Sequence, residues 1–285
     1  MTAFTLVQLS DIHLSRSRPY FQFNYDIALE ALAEIAPDAV VVTGDLALNG
    51  PDDSADVAFA AEQLGRIAVP CHVVPGNHDV GLVPFKGGLH QPINNDRLAI
   101  YRDIFGADRF AVEIGNWKLI GFNSQLLGSG LAEEEEQFAW LAAELGERTA
   151  PTALFLHYPL FIDTIDEDRS THMNVVPAAR RRVLDLVARA PGVKLIASGH
   201  LHEDRRLDLD GICYQWAPAT AFMSSDGSLG GDAYNGFLVY RFDGDDFTVE
   251  RVEPTFMINM DIRNWSHSEP HGYYEVVKRP FPSVG

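Results

Sequence analysis

The sequence predicts an α/β fold, and three observations carry that reading. Five short apolar runs, at 4–9, 39–43, 72–75, 153–156 and 193–197, have the length and β-branched content of buried strands. The first three alternate with helical patterns in the order β-α-β-α-β, which points to right-handed crossovers and neighbouring parallel strands. Each run ends within a few residues of a metal-seeking side chain: Asp11 and His13, Asp45, Asn77 and His78, His157, and His200 and His202. Ligands of open α/β sheets bind beyond the carboxyl ends of the strands, so strands aimed alike would bring these groups to one rim.

The elements follow in order. After the first strand, Ile27, Leu29, Leu32 and Ile35 mark a helix over 24–35 with Asn24 as N-cap and Pro37 ending it. The strand at 39–43 leads to a helix over 54–67 and then to the strand before Gly76. The Gly, Pro and Asn of 80–95 read as an excursion, and a helix over 96–105 comes next. Gly115-Asn116 separates 110–114 from 117–122 as a hairpin turn. The acidic run Glu133 to Glu136 suits the first turn of a helix that continues to Leu145, because carboxylates there complement the helix dipole. A further helix is expected over 175–188. Two more hairpins, 207–216 turning at Asp210-Gly211 and 237–252 turning at Asp243-Gly244, make the last third mostly antiparallel. Past Glu253 the chain is rich in Pro and aromatics with no period, so residues 1–253 are expected to form the body and 254–285 a tail that packs on it or on a partner subunit in a homo-oligomer.

At 285 residues and 46% hydrophobic content, one core is expected. No apolar stretch approaches the roughly 20 residues that a membrane span needs, and Met1 to Phe4 leaves no room for a signal segment, so a cytoplasmic location and no membrane partner are expected. Cys71 and Cys213 form no Cys-x-x-Cys pair and read as free buried thiols. A formal charge of -18 argues against long nucleic acid as a partner, since backbone binding rests on clustered Lys and Arg. It does not exclude a small anionic substrate, because bound cations can reverse the sign of a pocket.

The chemistry follows from the donor types. Carboxylates at Asp11 and Asp45, imidazoles at His13, His157, His200 and His202 and the amide oxygen of Asn77 form a mixed nitrogen and oxygen set without sulfur, suited to Fe, Mn or Zn. Seven donors are too many for one tetrahedral ion and about right for two ions that share a carboxylate and lie about 3.5–4 Å apart. Gly44, Gly76 and Gly199 each precede a candidate ligand, where the backbone must turn off a strand with no Cβ in the way.

The blocks Asp11-x-His13, Gly44-Asp45, Gly76-Asn77-His78-Asp79, His157 and Gly199-His200-Leu201-His202, in this order, resemble the calcineurin-like metallophosphoesterase family from residue 6 to residue 202. The resemblance implies a four-layer αββα sandwich, two mixed sheets flanked by helices. It implies two divalent or trivalent ions, one held by Asp11, His13, Asp45 and His202 and one by Asp45, Asn77, His157 and His200. His78 would stand by the scissile phosphate as the catalytic group, partnered by Asp79, and hydroxide bound to metal would attack phosphorus in line. The stretch Thr43 to Gly50 and the block Phe155 to Pro159, with Tyr158 where the family usually has a second histidine, are similar to the branch of class III cyclic nucleotide phosphodiesterases and bacterial glycerophosphodiesterases.

The expected function is hydrolysis of small soluble phosphodiesters, with 3',5'-cyclic nucleotides leading, a glycerophosphodiester-type or broad diesterase second, and a scaffold without catalysis on the same fold as the alternative of another class. Candidate substrate contacts are Arg16, Phe21, Tyr158 and His172, with Arg18, Phe23 and Phe161 behind them. Each also has a bland reading, as a solvated loop charge or a core aromatic. His72, His90, His267 and His271 lack motif context and are assigned to packing or surface.

Overall fold

The computed structural model describes residues 3–83, 91–146, 149–168, 171–265 and 276–279. Its first half holds β1 (Phe4–Leu9), α1 (Gln22–Ile35), β2 (Ala39–Thr43), α2 (Ser54–Leu64), β3 (Cys71–Val74), the single turn α3 (Asn77–Val80), α4 (Asn95–Phe105) and the hairpin of β4 (Phe110–Ile114) and β5 (Trp117–Gly121). Then come α5 (Ala132–Leu145), β6 (Thr152–Phe155), α6 (Pro177–Val187), β7 (Val193–Ser198) and the hairpins β8 (Arg205–Leu209) with β9 (Ile212–Trp216) and β10 (Phe237–Asp243) with β11 (Asp246–Val252).

The strands form two mixed sheets, in the orders β11-β10-β1-β2-β3 and β4-β5-β6-β7-β9-β8. Strand period two builds the layers. In β1, Phe4 and Leu6 point into the layer between the sheets and Val7 and Leu9 point out to α1 and α2. In β6, Ala153 and Phe155 point inward while Leu154 and Leu156 meet α5 and α6. Apolar residues on both faces are why these runs carry no polar alternation, as expected of strands covered on both sides. The result is helix, sheet, sheet, helix, as the resemblance implied.

The two late hairpins part company: β9 extends the second sheet, parallel to β7, while β10 joins the first sheet, antiparallel to β1. Trp117 Nε1 donates to Gly244 O at 2.8 Å, fastening the first hairpin's turn to the last one. The β10–β11 loop is Gly244-Asp245, one residue later than expected, because Asp243 pairs with Asp246.

Helix α1 starts at Gln22, ahead of the expected Asn24. Asn24 is 1% exposed and caps nothing; its amide bonds Ala221 O and the backbone of Ile258 instead. Helix α2 stops at Leu64, and at its start Ala55 N–H donates to the side chain of the N-cap residue Asp53. Of the tail, Met257 packs against the α1 side of the first sheet, and Ile262 and Val277 are fully buried beside Phe21, Leu48, Ala221 and Phe222. His90, His267 and His271 lie outside the described residues. Among the described residues, no helix is long and apolar enough to cross a membrane.

Candidate metal centre

The candidate ligands sit at the carboxyl ends of β1, β2 and β3 in one sheet and β6 and β7 in the other, so the shared rim spans both sheets. Backbone bonds hold the turns side by side: Asp11 N–H donates to Gly44 O, His13 N–H to Asp45 O, and Gly199 N–H to His157 O. The second sheet is tied to the first by His157 Nδ1 donating to Thr43 O at 2.7 Å and by His200 N–H donating to Asp11 Oδ2 at 2.9 Å.

The sharp turning falls on the candidate ligands themselves. Asp11, His13, Asp45, His200 and His202 all have left-handed backbone, with φ between 44 and 72°. A residue with a Cβ pays about 1–2 kcal/mol for that conformation, strain of the kind that collects at functional sites. Of the three glycines before ligands, only Gly44 has positive φ (86°). Gly76 and Gly199 serve close approach: a Cβ on Gly76 would lie 2.2 Å from Asp45 Oδ1, and one on Gly199 1.8 Å from Ser10 Oγ.

Three groups of side chains bring donor atoms within 4.8 Å of one another: Asp11, His13 and His202; His13, Asp45 and His78; and Asp45, His157 and His200. Asp45 joins the outer two, with Oδ2 3.7 Å from His13 Nε2 and Oδ1 3.3 Å from His157 Nε2. Asn77 Oδ1 lies 3.1 Å from His157 Nε2, and Asp11 Oδ1 3.3 Å from His202 Nε2. All seven candidate ligands named from the sequence therefore gather at one rim.

The residues fit metal ions on an observation independent of the motif. His13 is buried, yet both of its ring nitrogens have no hydrogen-bond partner among the described residues. Buried polar atoms are paired or coordinate metals, and orphaned ones are costly. The other rings are aimed by carbonyls: His157 by Thr43, His202 by Phe222 at 2.6 Å, and His200, through Nε2, by His172 at 2.7 Å. Such outer contacts fix the tautomer of a ligating histidine.

Behind Asp11 runs a buried chain the sequence did not announce. Tyr240 Oη donates to Gln8 Oε1 at 2.6 Å, Gln8 Nε2 to Thr43 Oγ1 at 2.9 Å, Thr43 Oγ1 to Ser10 Oγ at 2.9 Å, and Ser10 Oγ to Asp11 Oδ2 at 2.6 Å. A signal was present in Gln8, a lone amide inside the apolar run 4–9.

Charge follows from the packing. Burial opposes ionisation of Asp11 and Asp45, but the facing histidines, His202 for Asp11 and His157 for Asp45, hold both carboxyls below the usual range. Burial and the neighbouring His78 keep His13 neutral, and burial with the His157 charge pushes His200 down to about 3. Burial also opposes charge on His157, yet Asp45 raises its pKa to about 9.

His78 belongs to the group with His13 and Asp45, its ring edge-on to His13 at 4.7 Å between centroids. Its Nδ1 bonds Leu48 O at 2.7 Å, and burial lowers its pKa. Asp79 does not partner that ring as expected. Its two oxygens accept from the backbone N–H of Leu46, Ala47 and Gly76 at 2.8–3.2 Å, bracing the turn that carries Asp45. Burial and the Asp45 charge push the Asp79 pKa up to about 7 against those three donors.

The expected substrate contacts divide. Tyr158 is buried with its ring 4.1 Å from that of His200, and His172 reaches the centre through its carbonyl on His200. Arg16 does not face the rim: it pairs with Glu62 and lies over the Phe59 ring on α2. Phe21, 1% exposed, is core, packed with Phe222 against His13, and Phe161 is core beside Tyr214. Arg18 is buried between Asp53 and Asp56 at 2.8 and 2.6 Å. Phe23 is half exposed on α1.

Residues 4–204 match the family model described as calcineurin-like phosphoesterase. Glycerophosphodiester phosphodiesterase GpdQ of Enterobacter lignolyticus is 32% identical over 215 residues, covering 69% of this chain and 70% of that protein. The 3',5'-cyclic adenosine monophosphate phosphodiesterase CpdA of Escherichia coli is 26% identical over 227 residues, 75% of each chain. Serine/threonine-protein phosphatase CPPED1 of Bos taurus is 32% identical over 153 residues, half of this chain, which spans 45% of that protein's length.

Proposed function

The chain belongs to the calcineurin-like phosphoesterase family, and on that premise we propose that it is a two-metal phosphodiesterase acting on small soluble diesters, with 3',5'-cyclic nucleotides as the leading substrate. The observation that carries the two-ion reading is Asp45, whose oxygens face separate histidine groups on either side. Asp11, His13, Asp45 and His202 would hold one ion and Asp45, Asn77, His157 and His200 the other, and the donor set suits Fe, Mn or Zn. Bound there, such ions would supply Lewis acidity toward the phosphoryl group.

The chain's own residues do the rest. His78 sits beside both groups with Nδ1–H donating to Leu48 O, and in its protonated form the ring would hand a proton to the leaving oxygen. His78 N–H donates to Asp45 Oδ1 at 2.8 Å, so the shared carboxylate and the proton donor are placed by one turn. Asp79 holds that turn rather than reacting. Tyr158 closes the His200 side against water.

CpdA supports the cyclic nucleotide as leading substrate, GpdQ supports an acyclic glycerophosphodiester as the second reading, and CPPED1 adds a phosphomonoesterase reading. The test is turnover of bis(p-nitrophenyl) phosphate by protein stripped of metal and then reloaded with Mn. Restored turnover that disappears in Asp45→Asn and in Asn77→Ala supports the proposal. Turnover that ignores metal, or survives both substitutions at the wild-type rate, rejects it.

A further inference from the structure

The carbonyls that aim the candidate ligands do not all stand on the sheets. His157 is aimed by Thr43 O, at the end of β2, but His200 is aimed by His172 O, in the connection between β6 and α6. A neutral imidazole that donates through Nε2 carries its lone pair on Nδ1, so this one contact decides which nitrogen His200 turns toward Asp45 and His157. A carbonyl that lies off the sheets needs something else to hold it.

A buried ion pair supplies the hold. The turn that carries His172 is closed by Thr171, whose hydroxyl donates to Asn174 Oδ1 and accepts from Met173 N–H, both at 3.1 Å. Asn174, 1% exposed, donates through Nδ2 to Glu167 Oε1 at 2.7 Å. The same carboxylate accepts from the backbone N–H of Ile162 at 2.9 Å and of Asp163 at 3.0 Å, so one side chain ties both ends of the connection together. Arg180 of α6, also 1% exposed, brings its guanidinium to 3.7 Å from Glu167 Oε1 and donates to the backbone carbonyls of Glu167 and Leu160. Burying a carboxylate and a guanidinium costs desolvation that their attraction scarcely repays, and apolar residues of like volume hold a fold as well or better. The pair therefore points to geometry rather than to stability.

We propose that Glu167 is a positioning residue for the candidate metal centre: clamped by Arg180, it fixes through Asn174 the turn whose His172 carbonyl selects the ligating nitrogen of His200. This rests on the two-ion reading above. Its effect falls on one side of the centre, the group of Asp45, His157 and His200, because no bond of this relay leads to the group of Asp11, His13 and His202 among the contacts described above.

The test titrates metal-free wild-type, Glu167→Gln and Asn174→Ala full-length protein with Mn by calorimetry and records the thermal midpoint of each. Asn174→Ala cuts the link while leaving the Glu167–Arg180 pair whole, so it decides the matter even where Glu167→Gln fails to fold. The expected result is one of two Mn-binding steps weakened about tenfold in the variants, the lower end of what loss of an outer contact costs, with the other step unchanged. Two unchanged steps in Asn174→Ala would overturn the proposal. So would both steps weakened alike in proportion to a lowered thermal midpoint, which is the signature of residues that only hold structure. If the wild-type protein binds a single Mn or none, the two-ion reading fails separately, and the ring tautomers of the metal-free protein decide the role of Glu167. Long-range nitrogen–proton correlation spectra should then show His200 protonated on Nε2 in wild type and mixed between tautomers in Asn174→Ala; one and the same tautomer in both would overturn the proposal.

Discussion

Asp45 Oδ1 lies 3.3 Å from His157 Nε2, with His157 wholly buried and Asp45 nearly so. The pair stores a proton on the nitrogen that a metal ion would use, since Asp45 raises His157 to about 9. Loading an ion there must release that proton, which makes metal affinity fall as pH drops.

A pH dependence of stability follows for the metal-free protein. His157 is raised above its unfolded value of 6.5, so its contribution is fully present below about 6.5 and is lost as pH climbs through about 9. The unfolding free energy of the stripped protein in urea should therefore fall between these limits, by roughly 3 kcal/mol at most, and the Mn-loaded protein should not share that slope. A flat metal-free profile across the window would place the proton elsewhere.

Ser10 carries the last bond of the chain that begins at Tyr240. Ser10→Ala should weaken Mn binding about 10–100-fold while leaving the fold intact, as loss of an outer contact to a ligand does. Tyr240→Phe leaves Gln8 Oε1 without its donor and should cost about 1–3 kcal/mol in stability, with a smaller effect on metal. Isothermal titration with Mn and chemical denaturation read the two effects apart.

Gly199 and Ser10 share one space, a Cβ at 199 falling 1.8 Å from Ser10 Oγ. Gly199→Ala should displace the hydroxyl and lower Mn affinity at least as much as Ser10→Ala. The same change made in a Ser10→Gly background should cost less than the sum of the singles, because the principal clash has gone, leaving the contact with Asp11 Oδ2 at 2.7 Å. Strict additivity in the double mutant would show that the clash is not what glycine avoids.

His78→Ala should lower kcat about 10²–10⁴-fold, the range of general acid catalysis, with Mn content and affinity nearly unchanged. Loss of bound metal in that variant would make His78 a ligand, which its grouping with His13 and Asp45 also permits.

What could be read in advance, and what could not, separates by range. The five ligand-bearing strands were readable because each announces itself within ten residues: an apolar run, then a polar donor. That the rim is split between two sheets came only with the family resemblance, since nothing within the run 153–156 says which strands flank it. The turn residues specified the late hairpins but not that β9 would lie along β7 and β10 along β1. Phe21 and Arg16 misled because an aromatic and a cation near a ligand pair suit either a substrate or the core. The choice was made by residues far along the chain, Phe222 and Val277 for Phe21 and Glu62 for Arg16. The Tyr240 to Gln8 bond spans 232 positions, beyond any local pattern.

The decisive measurement is kcat/KM of the Mn-loaded protein for 3',5'-cyclic AMP, bis(p-nitrophenyl) phosphate, a glycerophosphodiester and p-nitrophenyl phosphate in one buffer. A diesterase built around the Asp45 bridge should turn over the diesters faster than the monoester, with cyclic AMP preferred among natural substrates and all turnover lost in Asp45→Asn. Preference for the monoester would contradict the diesterase assignment, and full activity in Asp45→Asn would contradict the two-metal centre itself.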